Sequence, residues 1–226
     1  PTEAMIARLS MPQGGWAQAA REDALARLRA MGLPQRRDEY WKFTRPDTLT
    51  QPEAQPAAIF DHGEAPLFDD TDRLRIVFVD GEFDAEASDD LALEGVSIER
   101  LAAADSDLHW ARDLYGALEK NGQTPVQRPL AALNTAFASD GVLIHVTGQV
   151  SKPINLVYTH RSETSDAMLH HVVKLEKDAE VTLLENGPAA ARFNTVMEVE
   201  VADTARFHHV RAQGRDHERR AATHVF

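Results

Sequence analysis

The chain has 226 residues, 43% of them hydrophobic, with a formal net charge of −12 and no cysteine. That length and apolar content suit a packed core of one large or two ordinary domains and are incompatible with wholesale disorder. The acidic balance disfavours nucleic acid, whose phosphates it repels, and the lack of cysteine excludes disulfides, a thiolate nucleophile and thiolate-held zinc or iron–sulfur centres within this chain. No basic start with an apolar run opens the chain, and no apolar stretch approaches the ~18 residues of a membrane span, so a cytoplasmic location is expected.

Residues 15–31 carry Trp16, Ala20, Ala24, Leu28 and Met31 at spacings of three and four, which predicts an amphipathic helix stopped by Gly32 and Pro34. The segment from Leu33 to Pro46 is dense in aromatics. Tyr40, Trp41 and Phe43 cannot share one face of a strand, so a short helical turn packed on the first helix is predicted, with the aromatics in its core rather than on a docking surface. Residues 50–70, rich in Pro, Gln, Asp and Ala, read as a linker. Leu74–Val79 reads as a strand ended by an Asp80-Gly81 turn. Val96–Leu101 suits a second strand or the entry to a short helix. Helical spacing returns over 106–119, through Leu108, Ala111, Leu114 and Leu118. Residues 129–137 suit a helix with Pro129 in its first turn. Asp140-Gly141 then turns into Val142–Val146, and from there nearly every apolar run alternates.

The last third holds a repeat. Val173, Leu175, Ala179, Val181 and Leu183 recur 26 residues later as Val199, Val201, Ala205, Phe207 and His209. A fainter copy 27 residues upstream matches Val146, Lys152, Ile154 and Leu156 to Val173, Ala179, Val181 and Leu183. Asp178 and Asp203 fall at equivalent breaks. Such a period with strand chemistry points to stacked coils, so the fold expected is mainly β: a parallel β-helix (solenoid). A mixed, α-rich N-terminal region over 1–124 would precede its first coils over 125–226. A β-sandwich in which the period is two hairpins is the alternative that alternation leaves open.

Few residues invite a chemical reading. Eight of the ten histidines lie between His145 and His224. In His170-His171 and His208-His209 neighbours on a strand face opposite ways, so neither pair can chelate one ion. The repeat sets His171 against Met197 and His209 against Leu183, and no histidine on another. Surface or packing roles are expected, and whether any binds metal is left open. Glu185-Asn186-Gly187 reads as a turn. Asp178 and Asp203 read as structural corners rather than an acid–base pair. Arg215 to Arg220, mixed in sign, reads as a solvated loop. Gly14-Gly15 lacks the Lys-Ser/Thr ending of a phosphate loop, and no G-x-S-x-G element is present. No catalytic or cofactor-binding residue is therefore assigned.

Four segments, in this order, carry a family likeness. They are Leu33-Pro34 with Glu39–Thr44, Ile76–Phe83, and Leu130–Phe137 running into Asp140–Val146; last come Lys152–Val157 and Phe193-Asn194 through His209–Gln213. The chain resembles the SufB/SufD family of the bacterial Suf iron–sulfur assembly system, and its helical N-terminal region and missing cysteines resemble the SufD side. The resemblance implies a right-handed parallel β-helix and a non-catalytic scaffold that pairs with a SufB-like paralogue and a SufC-like ATPase. It implies no cofactor in this chain itself, with iron or an iron–sulfur cluster held transiently in the assembled complex; no flavin fingerprint is visible. The family's C-terminal helical domain, which grips the ATPase, has no counterpart before Phe226, so no residue here inherits that role. An uncovered last coil would favour a homodimer of the isolated chain. The rival class is a β-helix carbohydrate-active enzyme, a polysaccharide lyase or hydrolase, which would need acids and bases clustered on adjacent coils.

Overall fold

The structure, a computed structural model, describes residues 1–60, 63, 67–104, 109–187, 189–213 and 218–226. Its helices are α1 (Thr2–Arg8), α2 (Gln18–Met31), α3 (Asp47–Thr50), α4 (Ala117–Asn121) and α5 (Pro129–Phe137). Its strands are β1 (Leu74–Val79), β2 (Glu82–Phe83), β3 (Val96–Arg100), β4 (Val142–Val146) and β5 (Ile154–Thr159). They continue as β6 (Asp166–Leu175), β7 (Glu180–Gly187), β8 (Arg192–Val201), β9 (Arg206–Gln213) and β10 (Arg220–Val225). Two five-stranded sheets form, ordered β2-β1-β5-β7-β9 and β10-β8-β6-β4-β3.

The mainly β, right-handed parallel β-helix is not what the chain forms. The fold is mixed α/β, and both sheets are mixed and unclosed: β1–β2 and β3–β4 are antiparallel, the other neighbours parallel. The reason lies before residue 125. Asp80 and Gly81 take positive φ of 51° and 88°, the left-handed pair a two-residue hairpin demands, and reverse the chain into β2. β1 then joins β5, and β3 joins β4, so the N-terminal region supplies strands to both sheets. The hairpin alternative fails too, because β4 to β10 pair in parallel with the next strand but one.

The 26-residue period is the β6–β8 and β7–β9 register: Val173 lies beside Val199, Leu175 beside Val201, Val181 beside Phe207 and Leu183 beside His209. The upstream copy is displaced. Val146 meets Leu175 and Ile154 meets Leu183, an offset of 29 rather than 27. Two extra residues keep the same side chains inward, which is why the shorter offset also matched. The breaks between strands recur as Asp178 (φ 62°) and Thr204 (φ 64°), so Thr204, not Asp203, is the conformational mate of Asp178.

The facing sheets enclose one apolar core, with Leu74, Ile76, Phe78, Ile154, Leu156, Val181 and Leu183 against Val142, Ile144, Val146, Leu169, Val173, Phe193 and Met197. The outer face of the second sheet is covered by helices. All nine residues of α5 are buried, and Leu28 and Ala24 of α2 pack on Leu133 and Ala136 within one cluster. The 3₁₀ turn Glu39–Trp41 has the predicted form, but its aromatics are not a core: Tyr40 is 55% and Phe43 93% exposed, and only Trp41 packs on the helical layer. Prolines at both ends carry this segment along the periphery, where one short turn can direct only one ring inward. The helix expected over 106–119 is, within the described residues, a 3₁₀ turn at Trp110–Asp113 and then α4, divided at Gly116, whose φ is 78°.

The packing separates two substitutions that the repeat alone would equate. Val181 is 1% exposed between the sheets, whereas its neighbour Phe207 on edge strand β9 is only partly buried. Val181→Asp is expected to cost more than about 3 kcal/mol, because a carboxylate there is desolvated without a partner. Phe207→Asp should cost clearly less, since its carboxylate can reach water. Urea denaturation of both variants measures the difference, and equal losses would mean that β9 is covered.

Candidate functional site

The inward positions of β5, β7 and β9 begin apolar and end polar. Along β7 the inward series is Val181, Leu183 and then Glu185, which is 1% exposed. Register places Glu185 between Leu156 and Arg211. Glu185-Asn186-Gly187 is therefore not a turn; it is the end of β7. Gly187 is required there: at φ 140° any Cβ would lie 2.0 Å from the carbonyl oxygen of Tyr158. That contact lets β7 run close beside the backbone that carries Tyr158.

Five side chains meet between the sheets. Tyr158 of β5 donates its hydroxyl to Glu185 Oε1 at 3.0 Å, and His171 Nε2 of β6 lies 3.0 Å from the same hydroxyl. His171 Nδ1 accepts the backbone N–H of Val142 at 3.1 Å. Neutral imidazole must then carry its proton on Nε2, so the chain of donation runs His171 to Tyr158 to Glu185. Arg211 donates to Glu185 Oε2 at 2.8 Å, and His209 Nε2 approaches the same oxygen at 3.4 Å. Phe193 and Phe78 wall the cluster, with ring centroids 5.1 and 6.3 Å from that of Tyr158.

Burial and charge act against each other here. Burial pushes the Glu185 carboxyl up, but His209, Arg211 and His171 together outweigh it and hold the group at about 2. Burial pulls His171 down to about 4 and keeps it neutral. Burial first, then the neighbouring Glu185 charge, raises the Tyr158 phenol well above its ordinary value. A carboxylate held ionised beside a phenol held protonated is the reverse of a poised acid–base pair. The arrangement fixes a charge in place and ties three strands to β6.

A second buried network lies on the other face of the second sheet. Glu198 of β8, 1% exposed, accepts the N–H groups of Gly116 at 2.5 Å and Glu119 at 2.9 Å. His170 Nε2 lies 2.7 Å from the same carboxylate, and its ring packs on Tyr115 at a 32° tilt with centroids 4.2 Å apart. Glu119 in turn takes a two-pronged contact from Arg27 of α2 at 2.8 and 2.7 Å. His170 and His171 therefore serve opposite faces, as adjacent strand residues must, and both are fully buried.

The other sequence candidates disperse. His208 is exposed, near Glu180 at 3.7 Å, and Asp178 contacts Thr204 at an exposed corner. Arg215, Asp216 and His217 lie outside the described residues. Among the described residues no group of three His, Asp or Glu side chains converges as a metal site requires. No helix among them is long and apolar enough to cross a membrane.

Residues 68–156, which span β1 to β4 and the first half of β5, match the family model described as SufBD protein N-terminal region. Over 93 residues the chain is 31% identical to the iron–sulfur cluster assembly protein SufD of Bacillus subtilis (strain 168). Over that segment the chain is SufD-like. The alignment takes in 38% of this chain and 21% of the Bacillus protein, so the likeness spans only about a fifth of that relative's length. Tyr158, His171, Glu185, His209 and Arg211 all follow the segment matched by the family model.

Proposed function

We propose that this chain is a non-catalytic subunit of iron–sulfur cluster assembly in the cytoplasm, pairing with a SufB-like paralogue and a SufC-like ATPase. The observation that carries the reading is the SufBD match over 68–156, which covers β1 to β4, the first half of β5 and the whole of α5. The buried networks support a scaffold's role: both hold their charges in fixed hydrogen bonds and rigidify the sheets. ATP hydrolysis would belong to the SufC-like partner, and the iron–sulfur cluster would be cargo of the assembly rather than a resident of this chain.

The test is co-expression of the tagged chain with the SufB-like and SufC-like proteins of the same source. Retention of either partner through size-exclusion chromatography, in a defined ratio, is the expected result. If both partners elute free of the chain at micromolar concentration, the pairing is wrong.

A further inference from the structure

Asp166, Arg192 and Arg220 open three parallel strands and stand side by side: Asp166 is the register partner of Arg192, and Arg192 of Arg220. The segment after α3 crosses these strand starts. Arg192, 4% exposed, donates to the Gln51 carbonyl at 2.5 Å and the Pro52 carbonyl at 3.2 Å. Its remaining donors grip Asp166 at 2.9 and 2.5 Å, which fixes the guanidinium plane. Arg8 of α1 contacts the Pro52 carbonyl and, at 3.1 Å, Asp166. Arg220 donates to the Pro56 carbonyl at 2.9 Å. Two N–H groups complete the strap: Ala57 donates to the Glu163 carbonyl at 2.9 Å, and Ala58 to Glu218 Oε2 at 2.8 Å. Ala57 is fully buried. Under this face lies a small cavity of about 10 Å³ lined by Met5, Leu49, Met168 and Asn194 among others.

We propose that this arginine ladder is a binding groove for extended, proline-containing peptide, occupied in cis by residues 51–58 and open to a segment of the same chemistry from another protein when the strap lifts. Three arginines address the carbonyl oxygens of Gln51, Pro52 and Pro56, so what they read is backbone, not side chain. Proline suits such a reader because it offers a carbonyl with no N–H to satisfy. It also holds the chain in the extended polyproline conformation, with its carbonyls outward. Gln51 has the dihedrals of that conformation, φ −70° and ψ 145°. A planar guanidinium can hold Asp166 through two contacts and still serve two successive carbonyls, more contacts than the three donors of an ammonium can make.

The experiment uses the full chain. A fluorescein-labelled peptide of residues 50–59 is titrated by anisotropy against the unaltered chain and against the double variant Pro52→Gly, Pro56→Gly. The tethered strap competes at roughly millimolar effective concentration, so the double variant should bind the peptide at least about tenfold more tightly than the unaltered chain. Adding Arg192→Lys, or the less buried Arg220→Lys where the first perturbs folding, should weaken that binding at least about tenfold. Hydrogen exchange at the Ala57 and Ala58 amides reports strap release in every chain. Peptide binding unchanged by both lysine substitutions overturns the proposal. So does absence of binding to a double variant whose two amides exchange freely. A strap that stays protected without either proline overturns it as well, because the groove would then not be reading proline chemistry.

Discussion

Glu185→Ala is expected to destabilise the chain by about 3–5 kcal/mol, the range for breaking a buried ion pair on one side. Arg211 and His209 would be left facing each other in the inter-sheet space, and the Tyr158 hydroxyl would lose its acceptor. The loss should carry a pH signature. Glu185 is held at about 2 in the fold against 4.5 ordinarily, so its contribution is complete above about pH 4.5 and disappears as pH falls towards 2. By linkage that limb is about 3 kcal/mol. His171, lowered from 6.5 to about 4, also favours the fold at higher pH, and its contribution falls away from about pH 6.5 to 4. Stability measured by urea titration should thus decline in two overlapping stages on acidification. The variant should lack the lower stage. An unaltered acid limb in Glu185→Ala would mean that the carboxylate is not ionised against Arg211.

Much of the architecture was legible because it rests on local chemistry. Asp80-Gly81, Pro129 at the start of α5 and the Leu74–Val79 run each act within a few residues, and each element formed where its sequence pattern put it. The 26-residue spacing was legible for a different reason: neighbouring parallel strands of equal length place like residues side by side. What periodicity could not supply was partnership across the chain. Nothing local to Leu74–Val79 says that it lies beside Ile154–Thr159, and it is such pairings, with two antiparallel edges, that make the sheets mixed.

Glu185 was misread although a usable signal existed. Its parity continues Val181 and Leu183 inward, and the 26-residue shift lands it on Arg211, an opposite charge at the same inward position. The turn chemistry of Asn186-Gly187 masked that match. Tyr40 and Phe43 were misread because burial was inferred from residue type, and aromatic content does not say which rings a single 3₁₀ turn can direct inward.

Glu198→Ala should detach the helical layer from the sheet beneath it. Glu198 joins β8 to the start of α4 through its side chain, and its two oxygens divide three donors: Gly116 N–H and His170 Nε2 on one, Glu119 N–H on the other. Alanine leaves two buried amides and one buried imidazole without an acceptor. Each such group costs about 1–3 kcal/mol, so a total loss of about 3–5 kcal/mol is expected once the site relaxes. The damage should travel further than the cavity. Glu119 orients Arg27 of α2, and a loosened α4 frees that guanidinium. Hydrogen exchange should therefore rise in α4 and along the Arg27 turn of α2, while β5 and β7, on the far side of the apolar core, keep their protection. Uniform loss of protection through both sheets would instead show that the helical layer and the sheets unfold as one cooperative unit, with Glu198 at the joint between them.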